Sequence, residues 1–380
     1  MAISRRTLLR NIGATAAVTA TAQSWPTICL ASSTTGDRSD PASRMIRLDK
    51  NENPYGPSDH VAAAMRSGMA IANRFPEAEL AALIDRLAEF HSVHREQIIL
   101  GCGSTEILRM CSCAFLGPGK KLAMATPGFD AMAQYARETG ASVEMVPLTK
   151  TYAHDLALMA QRLGGGNGLI YICNPHNPTG TLTARKDIEA LLRGLPAGTY
   201  VVIDEAYYHY VTPSAAYSSF IDHPVSDPRV IVTRTFSKIY GLAGMRIGYS
   251  VATAETAKRI AAYRLLDGVN VGAARAARIA LEDNDHVRTC AQRNADNRQE
   301  FFNQANARML RWIDSQTNFV LLNAGRSAND VAEHFRKNHV LLGSGFRSME
   351  NYLRVTVGTP EEMKEFWRVW DLLPQHAMAM

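Results

Sequence analysis

One short segment of the sequence, RTFSKIYGLAGMRIGY at residues 234–249, combines an amine, hydroxyl groups and a cation. Lys238 follows Thr235 and Ser237, and Arg246 lies eight residues beyond the lysine. The apolar run VIVT precedes them, so the lysine stands where a buried strand should end. A lysine amine can form a Schiff base with an aldehyde, and an arginine with hydroxyl donors can hold an anion. The segment therefore predicts a ligand that carries both an aldehyde and an anionic group.

Other polar residues follow apolar runs elsewhere in the chain. Asp204 and Tyr207 end YVVIDEAY, and Asn177 follows LIYICNP. The residues that follow IIL and open a helix are Gly103, Ser104 and Thr105. Taken singly, these residues also fit helix caps and turns. The carboxyl ends of parallel strands meet at one edge of a sheet, so we expect all of them to converge there.

Pyridoxal 5'-phosphate (PLP) is the cofactor that this set of groups fits. The helix N-terminus with Ser104 and Thr105 suits its phosphate, together with the hydroxyls and the arginine of the first segment. Asp204 is the expected partner of the pyridinium nitrogen. Tyr207 and Asn177 can hydrogen-bond the ring oxygen, and Phe129 in TPGFDAM is expected to stack on the ring face.

The runs that must position these groups are continuous rather than alternating, as in strands buried on both faces. KLAMA, SVEMVPL, GLIYICNP, YVVIDEAY, VIVTRTFSK and IGYSVA alternate in part with helical segments such as ARKDIEALLRGL. The pattern predicts an open, mostly parallel α/β sheet. After about residue 275 a long helical stretch and short strands predict a smaller α+β domain. The predicted divisions are a signal peptide (1–31), a linker (32–45), a segment joining the small domain (46–70), a large cofactor-binding domain (71–275) and a small C-terminal domain (276–380).

Composition excludes several classes of function. The 380-residue chain is 46% hydrophobic with a net charge of +5, and its basic residues form no block, so we expect no nucleic-acid partner. Its six cysteines form no C-x-x-C pair, so we expect no metal site. The N-terminal SRRTLLR, with Arg5 and Arg6, precedes a weakly hydrophobic stretch too short to span a membrane. This layout predicts twin-arginine export to the periplasm, with a cytoplasmic location as the alternative.

The chain also resembles a known family. NENPYGPS, GCGSTEIL, NPHNPTG, IDEAYYHY, TFSKIYGLAGMRIGY and YLRVTVGTPEEM occur in the order seen in fold-type I aminotransferases, over residues 46 to about 372. They look most like the histidinol-phosphate branch of class II. The resemblance implies a seven-stranded large domain, PLP on Lys238, and a homodimer whose partner subunit completes each active site. It also implies that Arg354 binds the anionic group of the substrate and that Tyr55 lies near the substrate.

The sequence departs from that branch at three positions. Phe75 and Phe129 replace tyrosines, the first of which usually reaches the neighbouring subunit's cofactor phosphate. The second arginine of the substrate-phosphate pocket has no clear counterpart, with Arg347 as the candidate. We expect transamination between a 2-oxo acid and an amino acid or histidinol phosphate, with aromatic amino acids as further candidate donors. A PLP-dependent decarboxylase or lyase, or a non-catalytic PLP-binding protein, remains the alternative.

Overall fold

A computed structural model describes residues 45–214, 217–221 and 226–374. Its strands are β1 (Ile46–Leu48), β2 (Ile98–Gly101), β3 (Lys121–Thr126), β4 (Ser142–Pro147), β5 (Gly168–Cys173), β6 (Thr199–Asp204), β7 (Val230–Thr235), β8 (Gly248–Val251), β9 (Arg311–Ile313), β10 (Phe319–Asn323), β11 (Val340–Leu342) and β12 (Tyr352–Thr356). Its helices are α1 (Asp59–Met69), α2 (Glu77–His91), α3 (Gly103–Phe115), α4 (Asp130–Glu138), α5 (Leu156–Leu163), α6 (Arg185–Gly194), α7 (Ala254–Ala261), α8 (Val271–Ala280), α9 (Asn284–Ala307), α10 (Ala328–Lys337) and α11 (Pro360–Asp371).

The largest sheet has seven strands within the described residues, in the order β2-β8-β7-β6-β5-β3-β4. Strand β8 runs antiparallel to both of its neighbours, and the remaining strands are parallel to one another. Every residue of β5 and of β7 is buried, which is why these strands read as continuous apolar runs. The predicted α/β architecture with a mostly parallel seven-stranded sheet is confirmed.

The sheet order brings the polar strand ends together. Strands β5, β6 and β7 are parallel neighbours, so the segments that leave their carboxyl ends lie at one edge of the sheet. Strand β2 has the same direction as β7, because both are antiparallel to β8. The start of α3 therefore reaches that edge as well.

A second group of elements is built from the C-terminal part of the chain. Strands β12, β10 and β9 form an antiparallel sheet, and β1 pairs in parallel with β11. Aromatic side chains of α9, α10 and α11 form much of a separate hydrophobic core, which also includes Leu48 of β1.

The predicted segment 46–70 contributes to both cores. Leu48 lies in the C-terminal core, whereas Val61 of α1 lies in the core of the large sheet. The Ser67 carbonyl at the end of α1 accepts a hydrogen bond from Arg275 of α8 at 3.2 Å. The boundaries near residues 71 and 276 remain predictions. No helix of the described residues is long and apolar enough to cross a membrane.

Candidate active site

A cavity of about 490 Å³ lies at the carboxyl edge of the large sheet. The residues predicted from the sequence that line it are Ser104, Thr105, Phe129, Asn177, Asp204, Tyr207, Thr235, Ser237, Lys238, Arg246 and Arg354. Gly103 adjoins the cavity through its contact with Arg246. The convergence expected from the strand ends is therefore present.

One end of the cavity offers donors suited to a phosphate. Arg246 has a left-handed backbone (φ 55°), and its Nη1 donates to Ser237 Oγ at 3.3 Å. Ser237 in turn donates its backbone N–H to Thr235 Oγ1 at 3.1 Å. Gly103 opens α3 at φ +74°, and a Cβ there would overlap Arg246 Nη2. The glycine thus lets the guanidinium approach the N-terminus of α3, where backbone N–H groups and the helix dipole favour an anion.

Asp204 ends β6 as a buried carboxylate with three donors around it. Tyr171 Oη and Thr233 Oγ1 donate to it at 2.8 and 3.0 Å, and the Ala206 N–H donates at 3.2 Å. Burial raises the pKa of Asp204, and these three hydrogen bonds oppose that rise. A cationic N–H in the cavity would stabilise the ionised form, which is the role that a pyridinium partner requires.

Tyr207 and Asn177 form a hydrogen-bonded pair beside that carboxylate. Asn177 Nδ2 donates to Tyr207 Oη at 3.3 Å, and Asn51 Nδ2 donates to the same oxygen at 3.0 Å. Burial raises the pKa of Tyr207 above its usual value, so the phenol keeps its proton at neutral pH. The pair can therefore form hydrogen bonds with an oxygen atom of a bound ring.

Lys238 carries the amine of the site. Its Nζ donates to the Lys50 carbonyl at 3.0 Å and lies 5.6 Å from the centre of the Tyr207 ring. Burial, followed by the charge of Arg354, lowers the pKa of Lys238 from 10.5 to about 7. Near neutral pH a large fraction of this amine is unprotonated, as a nucleophile or a base must be.

Arg354, on β12, brings a second guanidinium to the cavity. Its Nη1 donates to Asn177 Oδ1 at 2.8 Å and its Nη2 donates to the Asp49 carbonyl at 2.6 Å. Its Nε is buried and has no hydrogen-bond partner among the described residues. Burial lowers the pKa of Arg354. The group is thus a positive charge on the cavity wall, and each Nη atom has a second N–H beyond the bond just given.

Two predicted substrate residues do not line the cavity. Tyr55 Oη accepts a hydrogen bond from Asn297 Nδ2 at 3.0 Å, and Arg293 lies over its ring at 4.9 Å. Arg347 is exposed on the segment between β11 and β12. Phe75, one of the departures from the resembled branch, is 73% exposed.

Several lining residues were not singled out from the sequence. Tyr171 lies inside the apolar run of β5. Its hydroxyl is the one feature of this residue that could have indicated a role in the site. Asn51 and Glu52 open the NENPYGPS motif and Lys50 directly precedes it, but spacing alone does not reveal that these residues reach the cavity. The further lining residues include Arg47, Lys50, Asn51, Glu52 and Tyr171.

The residues present fit PLP. Arg246, beside the N-terminus of α3, suits the phosphate, and the buried Asp204 carboxylate suits the ring nitrogen. The Lys238 amine, much of which is unprotonated near neutral pH, suits the aldehyde. The site and the fold together define a fold-type I PLP-dependent transferase.

Comparisons with known proteins lead to the family. The model of the family "Aminotransferase class I and II" matches residues 43–369. Histidinol-phosphate aminotransferase from Symbiobacterium thermophilum is 36% identical over 85% of this chain and 88% of the relative, and that from Moorella thermoacetica is 33% identical over 85% and 84%. The structure of the Sinorhizobium meliloti histidinol-phosphate aminotransferase in complex with pyridoxal-5'-phosphate has a TM-score of 0.80 and 25% identity, over 90% of this chain and 98% of that one.

The chain therefore belongs to the class I and II aminotransferases, in their histidinol-phosphate branch. It is a PLP-dependent transaminase. The prediction of twin-arginine export is wrong, because these relatives are cytoplasmic biosynthetic enzymes. The leader residues on which that prediction depended lie outside the described part of the chain.

Proposed function

We propose that the enzyme transfers the amino group of histidinol phosphate to a 2-oxo acid and that Arg354 binds the anionic group of either substrate. The guanidinium of Arg354 carries this proposal: it is a buried positive charge that lines the cavity and lowers the pKa of the Lys238 amine. A charged hydrogen bond to phosphate or carboxylate would use the second N–H of an Nη atom. The relatives named for histidinol phosphate support the choice of amino donor.

The residues of the chain divide the work of the reaction. The cofactor, when bound, supplies an electron sink for the bond that is broken at the substrate α-carbon. Asp204 would hold the proton of the ring nitrogen, Tyr207 and Asn177 would hydrogen-bond to the ring oxygen, and Arg246 would anchor the phosphate. The Lys238 amine, with a pKa of about 7, would accept the α-proton of the substrate. It would give up a proton again in a later step of the amino-group transfer.

A panel of amino donors tests the substrate assignment. Holoenzyme is mixed with histidinol phosphate, an aromatic amino acid or an aliphatic amino acid, and conversion to the pyridoxamine form is followed by absorbance. We expect the largest kcat/KM for histidinol phosphate. Arg354→Met should lower that kcat/KM by about 10- to 150-fold, as expected for a charged hydrogen bond. A higher kcat/KM for the aromatic donor would contradict the assignment, and release of CO2 without keto product would indicate a decarboxylase.

We further propose a homodimer in which each subunit completes the other's site. The support is an exposed apolar surface: Met69 and Phe75 are 71% and 73% exposed. They line a cavity of about 720 Å³ together with Met65, Met245 and Val269. Met245 is next to the phosphate-anchoring arginine in the chain, so a second copy seated here would approach the cofactor end of the active site.

Subunit mixing tests both the dimer and the role of Tyr55. Lys238→Ala and Tyr55→Ala are each expected to be nearly inactive alone. If Tyr55 serves the partner's cavity, random mixing gives half mixed dimers, each with one intact site, and about a quarter of wild-type activity returns. No recovery in mixtures that sedimentation shows to be exchanged dimers would contradict shared sites. A monomer by sedimentation would contradict the dimer.

A further inference from the structure

Three consecutive residues after β1 contact three functional groups of the active site. The Asp49 carbonyl accepts from Arg354, the Lys50 carbonyl accepts from Lys238, and Asn51 Nδ2 donates to Tyr207 Oη. Of the three side chains, only that of Asn51 takes part in these contacts. Asn51 is 1% exposed and has a left-handed backbone (φ 54°). A buried asparagine held in that conformation beside a cofactor-facing tyrosine requires a physical account.

The orientation of the Asn51 amide is fixed by Thr356. Thr356 Oγ1 accepts the Asn51 backbone N–H at 3.0 Å and donates to Asn51 Oδ1 at 3.3 Å. The carbonyl of Asn51 also accepts from Asn318 Nδ2 at 3.0 Å, which holds the backbone in place. With Oδ1 engaged, the NH2 group of Asn51 must face Tyr207.

The second amide on Tyr207 is fixed in the same way. Asn177 Oδ1 accepts from Arg354 Nη1 at 2.8 Å, so the Asn177 NH2 group is the one that faces Tyr207 Oη, at 3.3 Å. A phenolic oxygen can accept two hydrogen bonds and donate one. Both acceptor positions of Tyr207 are therefore taken by N–H donors, and its own proton must point elsewhere, into the cavity.

We propose that Asn51 is a positioning residue that directs the Tyr207 proton to the ring oxygen of the cofactor. The proposal rests on the assigned role of Tyr207 and goes beyond it, because it explains why the tyrosine donates rather than accepts. A hydrogen bond donated to the ring oxygen stabilises that oxygen in its anionic form. The Asn51 side chain thereby lowers the pH at which the bound cofactor loses its proton.

Asn51→Gly is the main test, because glycine adopts a positive φ without strain and has no side chain to donate to Tyr207. The visible absorbance of the cofactor-loaded protein is titrated against pH, and the affinity of the apo-protein for PLP is measured by fluorescence. We expect the pH midpoint to rise by about half to one unit, the shift equivalent to one lost hydrogen bond. The affinity for the cofactor should fall by less than tenfold.

Tyr207→Phe provides the matched background. Phenylalanine has no proton to direct, so the shift caused by Asn51→Gly should disappear in the double variant. An unchanged midpoint in Asn51→Gly, or a shift of equal size in the Tyr207→Phe background, would overturn the proposal. Neither readout involves an amino donor, so failure of histidinol phosphate as substrate would leave these results unaffected.

Asn51→Asp provides a second variant if the glycine protein unfolds. Its carboxylate has the same shape but can only accept, so it should draw the Tyr207 proton away from the cofactor. The midpoint should then rise above that of the wild-type protein, and part of that rise should be lost in the Tyr207→Phe background. A rise that is fully retained there would reflect charge alone and would refute the positioning role.

Discussion

The lowered pKa of Lys238 predicts how fast the apo-protein captures its cofactor at different pH values. Only the neutral amine attacks an aldehyde, so the capture rate should follow the unprotonated fraction of this side chain. With a pKa of about 7 in place of 10.5, caused first by burial and then by Arg354, that fraction saturates near neutrality. The rate should therefore rise up to about the pKa and level off above it.

The size of the effect follows from the same two values. At pH 7.5 about three quarters of Lys238 is neutral, against about one part in a thousand for a lysine with an unperturbed pKa. Capture at this pH should therefore be about 700-fold faster than an unperturbed amine allows. Stopped-flow absorbance of apo-protein mixed with PLP between pH 6 and pH 10 measures the profile.

The controls separate the lysine from the ionisations of the cofactor itself. The same reaction with Nα-acetyl-lysine over the same pH range gives the correction. Glu52→Gln removes a charge that raises the pKa of Lys238 and should move the midpoint down, whereas Arg354→Met should move it up. A corrected rate that still rises tenfold per pH unit between pH 8 and pH 10 would refute the reasoning.

Two substitutions test how the fold supports the site. Gly103→Ala should weaken PLP binding, because its Cβ would overlap Arg246, whereas Gly164→Ala, at φ +68° in open space, should cost only about 1–2 kcal/mol of stability. Equal PLP affinities for these two variants would argue against a steric role for Gly103. Arg234→Met leaves Glu205, which is 1% exposed, without its ion-pair partner at 2.8 Å. Urea denaturation should show a loss of about 3–5 kcal/mol, and a loss below 1 kcal/mol would contradict the pairing.

The large sheet was predictable because its strands are buried on both faces. The IIL run and the six longer apolar runs each lie in a strand of the structure. The polar residues at the ends of these strands meet at the cavity, as expected for parallel neighbours. The long helical stretch after residue 275 was less well predicted. It is two helices, because Asp283 caps the start of α9 by accepting the His286 N–H at 3.2 Å. In a sequence with helical periodicity, a capping aspartate also fits the exposed face of one continuous helix, so it does not reveal the break.

The contacts made by the segment after β1 could not be predicted from local pattern. Its residues are brought to the cavity by the pairing of β1 with β11, almost 300 positions away in the chain. Tyr55 illustrates the reverse case. The resemblance places it near a substrate, yet within this chain it packs against α9 through Asn297. No periodicity in the sequence distinguishes a contact within a subunit from one across an interface.

The charges around Lys238 couple ligand binding to its basicity. Arg354 and Arg246 both lower the pKa of this amine, and each is placed to receive an anion. A substrate anion bound to Arg354 would offset that positive charge, so the pKa of Lys238 must rise when substrate is present. In the cofactor-free protein the amine is thus about half neutral at pH 7, and an anion bound beside it would make it a stronger base. A neutral residue at position 354 would remove this coupling as well as the anion site, so Arg354→Met should alter the pH dependence of kcat in addition to KM.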